Sequence, residues 1–183
     1  MLHLTTPRAK RRPVAVLVLT MLPAFAAAGL AVAPPQPAFL WNGTPSEPEG
    51  LYVRTGATPA PGQIIAFRTP AGAFPYADGR MDYLRRIPIL KAVAAGQGDR
   101  VCTRDGVLSI NGAPRGAILA RDARGARLPV WRGCRVLTRG EFFVFSDRIP
   151  NSFDSRYYGP VTQTLILGVF RPLVVSPSVG RGV

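Results

Sequence analysis

Lys91 is conspicuous by its type. The chain carries 21 arginines and only two lysines, Lys10 and Lys91, so a position that needs positive charge alone is filled here by Arg. A guanidinium cannot give up its proton near neutral pH, whereas a lysine amine can when apolar surroundings disfavour its charged form. Ile87, Ile89, Leu90, Ala92, Val93, Ala94 and Ala95 supply such surroundings, and on a strand Lys91 would share a face with Ile89 and Val93. Two readings stay open at this level: a neutral amine base, or a surface lysine with a packed stem and a solvated head. A base needs a nucleophile. Of the seven serines, Ser46 lies between Pro45 and Pro48 in the run Asn42-Gly43-Thr44-Pro45-Ser46-Glu47-Pro48-Glu49-Gly50-Leu51-Tyr52. Prolines that fix φ let a loop present a hydroxyl in one direction. Alone, that run reads as a turn; together with Lys91 it supplies the other half of a Ser-Lys dyad.

A third segment, residues 145–161, is a polar loop after an apolar strand, dense in Ser, Asp and Arg. Such a loop can orient a catalytic amine through a hydroxyl and brace itself through Asp154 and Arg156, or it can be solvated and internally hydrogen-bonded with no further role. Asp147 and Asp154 lack the D-[ST]-G context of an aspartic protease. Other chemistries are excluded by composition. The only histidine is His3 and the only cysteines are Cys102 and Cys134, so a zinc site lacks ligands and a Ser-His-Asp triad lacks its base. No phosphate-binding G-x-x-x-x-G-K-[ST] loop occurs. No cofactor and no metal are expected.

The elements that must carry these residues are legible in outline. The 183 residues suffice for one compact domain and an appendage. Residues 13–33 contain no charge and are long enough to cross a bilayer as a helix, and Arg8, Lys10, Arg11 and Arg12 precede them without an acid. The positive-inside bias puts residues 1–12 in the cytoplasm and the rest outside. A cleavable signal peptide competes with a retained anchor, since Ala26-Ala27-Ala28 and Ala31-Val32-Ala33 resemble cleavage sites; Pro34 directly after the second favours the anchor. Residues 34–40 read as a stiff Pro-rich spacer, and residues 41–183 as the extracytoplasmic domain.

That domain is expected to be mainly β. Alternating runs bounded by Gly, Pro and Asp occur at 50–54, 63–67, 99–103, 107–111, 141–145 and 165–169. Arg104-Asp105-Gly106 and Asn111-Gly112 read as hairpin turns. A short helix fits only within 74–87, ended by Pro88. The apolar stretch 165–175 is half a span long and contains Arg171 and Pro172, so it reads as closing strands. Outside the cytoplasm the two thiols are expected to form a structural Cys102–Cys134 disulfide, the C-x-x-C spacing of a redox pair being absent. Beyond residue 33 the charge is +9, from 19 basic and 10 acidic residues. Scattered arginines without a recognition motif suit anionic lipid headgroups better than nucleic acid.

These residues carry a resemblance. Ser152-x-Asp154-Ser155-Arg156-Tyr157-x-Gly159-Pro160-Val161, within a loop that begins at Ser146, resembles the last box of type I signal peptidases. Leu90-Lys91 with Gly96-Gln97-Gly98-Asp99-Arg100-Val101 resembles their lysine box. Asn42-x-Thr44-x-Ser46-x-Pro48-x-Gly50-x-Tyr52 is most similar to the conjugative-transfer, TraF-type, branch. Ala92, Gln97 and Ser146-Asp147-Arg148 depart from the general leader peptidases, where Arg, a Gly-Leu-Pro-Gly-Asp-like turn and Gly-Asp-Asn are usual.

The resemblance implies a signal-peptidase-like antiparallel β-sheet domain after a single N-terminal transmembrane helix, with a large apolar surface near the membrane. It implies Ser46 as acylating nucleophile, Lys91 as general base and Ser152 as the hydroxyl that orients the amine. The Ser46 backbone N–H and the Thr44 side chain would form the oxyanion hole, and Asp147, Asp154 and Arg156 would brace the loop. The implied activity is a serine endopeptidase of the inner membrane, its catalytic domain periplasmic, that removes leader peptides from exported proteins. The implied substrate is the pilin precursor of a conjugative or type IV secretion apparatus, whose components are the expected partners, with hydrolysis or cyclisation both open. Its rivals are a general type I signal peptidase with broad secretory substrates and a catalytically silent assembly factor of the same apparatus.

Overall fold

The computed structural model describes residues 36–176. The expected anchor at 13–33 and the basic segment 1–12 lie outside the described residues. Among the described residues no helix is long and apolar enough to cross a membrane.

Among the described residues, eleven strands form two antiparallel sheets. β1 (Phe39–Asn42), β2 (Gly50–Thr55), β3 (Ile64–Phe67), β4 (Ile89–Ala95), β9 (Glu141–Val144), β10 (Val161–Thr162) and β11 (Ile166–Val175) build a seven-stranded sheet in the order β1-β2-β11-β3-β4-β9-β10. β5 (Arg100–Arg104), β6 (Val107–Ile110), β7 (Ala113–Ala117) and β8 (Cys134–Val136) form the second, in the order β7-β6-β5-β8. Mainly β was the expectation, and each of the six alternating runs contributes a strand. β1 begins at Phe39, two residues inside the stretch read as spacer.

Turn chemistry sets the small sheet. Asp105 and Gly106 both have positive φ, as do Asn111 and Gly112, and each pair forms the two-residue loop of a hairpin closed by Arg104↔Val107 or Ile110↔Ala113. A primed turn matches the twist of its flanking strands and requires that backbone at both positions, which Asp-Gly and Asn-Gly supply. Cys102 and Cys134 lie directly opposite in the β5–β8 ladder and are joined by a disulfide.

Both faces of the large sheet are covered. On one, Ile65, Phe67, Ile89, Val93, Val144 and Val169 pack under Tyr157 and Tyr158; on the other, Tyr52, Ala66, Leu90 and Phe170 form a smaller cluster. Phe143 and Phe145 join Val101, Leu108, Ile110 and Leu137 in a third cluster linking β9 to the small sheet. β11 carries the expected closing strands in one piece. It pairs β3 through residues 166–170 and β2 through residues 169–175, so Pro172 falls beyond the end of β3, where a missing N–H leaves no ladder partner unpaired.

The helical expectation at 74–87 resolves into α1 (Tyr76–Arg80) and a 3-10 turn at Asp82–Arg85. α2 (Ser155–Tyr158) is a single turn N-capped by Asp154, whose carboxylate accepts the Arg156 N–H.

Candidate active site

The run from Asn42 to Tyr52 spans the turn between β1 and β2, and the side chains of Asn42 and Tyr52 are spent on the backbone of that turn. Asn42, buried at the end of β1, donates from Nδ2 to the carbonyls of Thr44, Glu47 and Pro48 at 2.9, 3.0 and 3.0 Å. Its Oδ1 accepts the Thr44 N–H at 3.2 Å and the Thr44 hydroxyl at 2.9 Å. The Tyr52 hydroxyl donates to the Pro48 carbonyl at 2.7 Å. Gly50 has φ +143°, and a Cβ there would lie 2.2 Å from the Val174 carbonyl oxygen, so no other residue fits without moving β11. From across the molecule the Ser146 hydroxyl donates to the Ser46 carbonyl. Ser46, 4% exposed, is thereby held at its carbonyl by Ser146 and flanked by neighbours that Asn42 holds, and its Oγ lies 3.4 Å from the Thr44 hydroxyl.

Lys91 lies in β4 opposite Ile65 of β3. Strand alternation puts it on the face of Ile89 and Val93, and it is 4% exposed. Burial pushes its amine down to about 8, against opposing pulls from the Asp154 and Glu47 carboxylates and with a smaller push from Arg156. A deprotonated amine is therefore accessible close to neutral pH.

Ser46, Lys91 and Ser152 line one cavity of about 240 Å³ together with Thr44, Leu84, Ile89 and Leu90. Three segments separated by some 40 to 60 residues in sequence meet there through β4, the β1–β2 turn and the loop before α2. Trp41, Tyr83 and Ile87 also line it and are largely exposed, Trp41 at 73%; Phe39, Leu173 and Val174 add further exposed apolar surface.

The loop ahead of α2 is held by a buried ion pair. Arg156 donates from Nε to Asp154 Oδ1 at 2.8 Å and from Nη2 to Oδ2 at 2.9 Å. Its remaining donors reach the carbonyls of Ala117, at 2.7 Å, and Ser152, at 3.0 Å. The guanidinium also lies over the Phe145 ring at 4.8 Å. Taken together these contacts satisfy most donors of a group that would be costly to bury unpaired. Asp147 is exposed and near Glu47.

Two expected contacts differ in detail. The Ser152 hydroxyl is buried in the cavity wall without a hydrogen-bond partner among the described residues, so the expected bond to the Lys91 amine is not made. The Thr44 hydroxyl hydrogen goes to Asn42 Oδ1, and Thr44 would have to rotate away from Asn42 to donate to a developing oxyanion. Among the described residues no three His, Cys, Asp or Glu side chains gather to hold a metal.

The parts played by Asn42 and Glu47 become visible only in the fold. Asn42 was legible only as a letter in a motif, although a polar side chain two residues before a Thr in a Pro-rich turn is a signal for an Asx-type turn. Glu47 gave no signal. It is buried beside Ser46, and its Oε1 accepts the Ala92 N–H of β4 at 2.8 Å. Burial raises its pKa, against the Ala92 N–H and the charges of Lys91 and Arg148.

The profile of the family described as "Signal peptidase, peptidase S26" matches residues 11–174. A plasmid transfer protein TraF from Escherichia coli is 31% identical over 148 residues, covering 73% of this chain and 81% of its own. A conjugal transfer protein TraF from Agrobacterium fabrum is 34% identical over 143 residues, 72% of this chain and 80% of its own. The crystal structure of a signal peptidase I from Enterococcus faecalis aligns with 62% of this chain and 97% of its own, at 24% identity and a TM-score of 0.39. The family assignment rests on the sequence matches.

Proposed function

We propose that this chain, which belongs to the signal peptidase family, peptidase S26, is a membrane-anchored serine endopeptidase with a Ser46–Lys91 dyad that cleaves the pilin precursor of a conjugation apparatus. The observation that carries the reading is the meeting of a buried serine hydroxyl and a buried lysine amine in one largely apolar cavity, the amine held near a pKa of 8. The similarity to TraF proteins of plasmid and conjugal transfer supports the choice of substrate. The exposed apolar side chains around the cavity mouth suit a domain seated on the outer face of the inner membrane, tethered by residues 13–33.

In this reading the neutral Lys91 amine takes the Ser46 proton, and Ser46 Oγ attacks the scissile carbonyl. The Ser46 backbone N–H, joined by Thr44 after rotation away from Asn42, stabilises the oxyanion. The lysine ammonium returns the proton to the leaving amine, and an ester links the acyl part of the substrate to Ser46. Water, deprotonated by Lys91, releases the acid; attack by a substrate amine instead would leave a cyclic product. Ser152, unpartnered in the wall, supplies the hydroxyl that orients the amine once a substrate closes the cavity.

The test is to incubate the detergent-solubilised chain with a pilin precursor and, separately, with a secretory preprotein, and to weigh the products by mass spectrometry beside Ser46→Ala and Lys91→Arg. Shortening of the pilin precursor by the native chain alone is expected; a further loss of one water mass marks cyclisation. Equal cleavage of the secretory preprotein would favour a general signal peptidase. Processing that survives in Lys91→Arg would remove Lys91 as the base, and no processing at all would favour an assembly role.

A further inference from the structure

Glu47 follows the nucleophile directly in sequence, yet its side chain belongs to another strand. It is 5% exposed, and its Oε1 accepts the Ala92 N–H at 2.8 Å, one residue after Lys91. In an antiparallel strand the N–H and C=O of one residue point to the same edge. The Ala92 carbonyl on that edge receives the Phe145 N–H at 3.2 Å, just past the end of β9 at Val144. The ladder stops there, and the Glu47 carboxylate takes the Ala92 N–H that the Phe145 carbonyl would meet in a continued ladder. The Glu47 carbonyl is itself held by Asn42 Nδ2 at 3.0 Å, so the residue is pinned at its backbone and at its side-chain end.

A buried carboxylate is a costly way to satisfy one N–H, since a neutral side chain would do the same with less desolvation. What it adds is charge. The Lys91 ammonium is faced by Glu47 from the β1–β2 turn and by Asp154 and Arg156 from the loop and α2. Asp154 is already bound at both oxygens by Arg156. Glu47 is in turn faced by Lys91, Arg148 and Asp147, with Tyr52 on its own hairpin.

We propose that Glu47 is a positioning residue: its carboxylate clamps the turn that carries Ser46 onto the strand that carries Lys91, and its negative charge balances the lysine ammonium. This deepens the dyad reading and rests on it for its role in catalysis, while the clamp itself stands on the contacts of Glu47. A proton returning to Lys91 during acylation then meets a counter-charge already in place.

The composition of the chain makes the test direct. With only Lys10 and Lys91 present, full-length protein labelled with ¹³C at lysine Cε gives two side-chain resonances in detergent, and Lys91→Arg assigns them. Glu47→Gln keeps an oxygen that can accept the Ala92 N–H and removes the charge. Its Lys91 titration midpoint is expected to fall by about half a unit or more from that of the native chain. A midpoint within about 0.2 units would overturn the proposal, because the charge would then not reach the amine. A second measurement needs no variant: the ¹⁵N–¹H signal of Ala92 in the native protein is expected to titrate with Glu47 on acidification. An Ala92 signal that stays still while other carboxylates titrate overturns the clamp. Neither readout depends on cleavage, so they separate failure of this proposal from failure of the peptidase reading. The pH–rate limb for cleavage of the pilin precursor is expected to move with the Lys91 midpoint in Glu47→Gln; a rate lost equally at all pH values would assign Glu47 a purely structural role.

Discussion

Asp154 and Arg156, two residues apart, form a fully buried two-point ion pair whose guanidinium also holds the Ser152 carbonyl at 3.0 Å. One contact set thus fixes the cap of α2, the ladder end at β7 and the loop that brings Ser152 to the cavity. Removing one partner strands the other in a low-dielectric interior, which typically costs about 3–5 kcal/mol. Asp154→Ala is expected to lose about that much in urea unfolding followed by circular dichroism, and Asp154→Ala/Arg156→Met to recover part of it. A single variant of native stability would mean that the pair is not shielded from water.

The lysine amine makes activity and stability depend on pH in related ways. For a base that works when neutral, with a pKa of about 8, the log of kcat/KM is expected to rise with unit slope up to about pH 8 and then level. Lys91→Arg is expected to remove the limb together with the activity. A flat profile from pH 6 to 9 would exclude Lys91 as the titrating base.

In the unfolded chain the same amine keeps its ordinary pKa of 10.5. Between about 8 and 10.5 the unfolded state therefore holds a proton that the folded state lacks, so this group's contribution to stability rises with pH through that window. Below it the charged amine is a burden of up to about 3 kcal/mol. Lys91→Met is expected to raise the unfolding free energy at pH 7 by about 1–3 kcal/mol and to flatten its dependence on pH above 8. Denaturant titrations at pH 7, 8.5 and 10 check the sign.

Asn42 joins five points of the nucleophile turn and itself takes no chemical step. Asn42→Ala frees the Thr44 side chain and leaves three carbonyls to find other donors, at an expected cost of about 1–3 kcal/mol. Cleavage of the pilin precursor is expected to fall about 100-fold or more, as a nucleophile loses its aim, while the Lys91 resonance keeps its midpoint. A drop in that midpoint instead would show that Asn42 acts through the base.

The Cys102–Cys134 bridge spans 32 positions of sequence. Loop-closure entropy assigns it about 3–4 kcal/mol of stability through the unfolded state. Cys102→Ser/Cys134→Ser is expected to lower the urea midpoint accordingly while leaving the pH–rate limb in place, since the pair lies in the small sheet and does not line the cavity. A shifted limb would connect the small sheet to the site.

Much was decided within a few residues of sequence. Asp105-Gly106 and Asn111-Gly112 specify their hairpins because only certain residues accept positive φ at both turn positions. Period-two alternation specifies strands because side chains of a strand alternate between its faces. The chemical types are also local: beyond residue 33 one lysine among arginines, and one serine between prolines.

Assembly was not local. β4 is not among the six alternating runs, because its apolar residues are nearly continuous, and its pairing with β3 on one edge and β9 on the other depends on strands far away in the chain. That pairing buries Lys91 and lowers its pKa, a consequence of neighbours and not of the lysine itself. Asp154 and Arg156 read equally as a solvated pair until the fold buried both and laid the Arg156 guanidinium over the Phe145 and Tyr157 rings. Glu47 shows the limit most plainly. Beside Ser46 in sequence it is one more acid in a Pro-rich turn, and only the end of β9 at Val144 leaves the Ala92 N–H that its carboxylate meets.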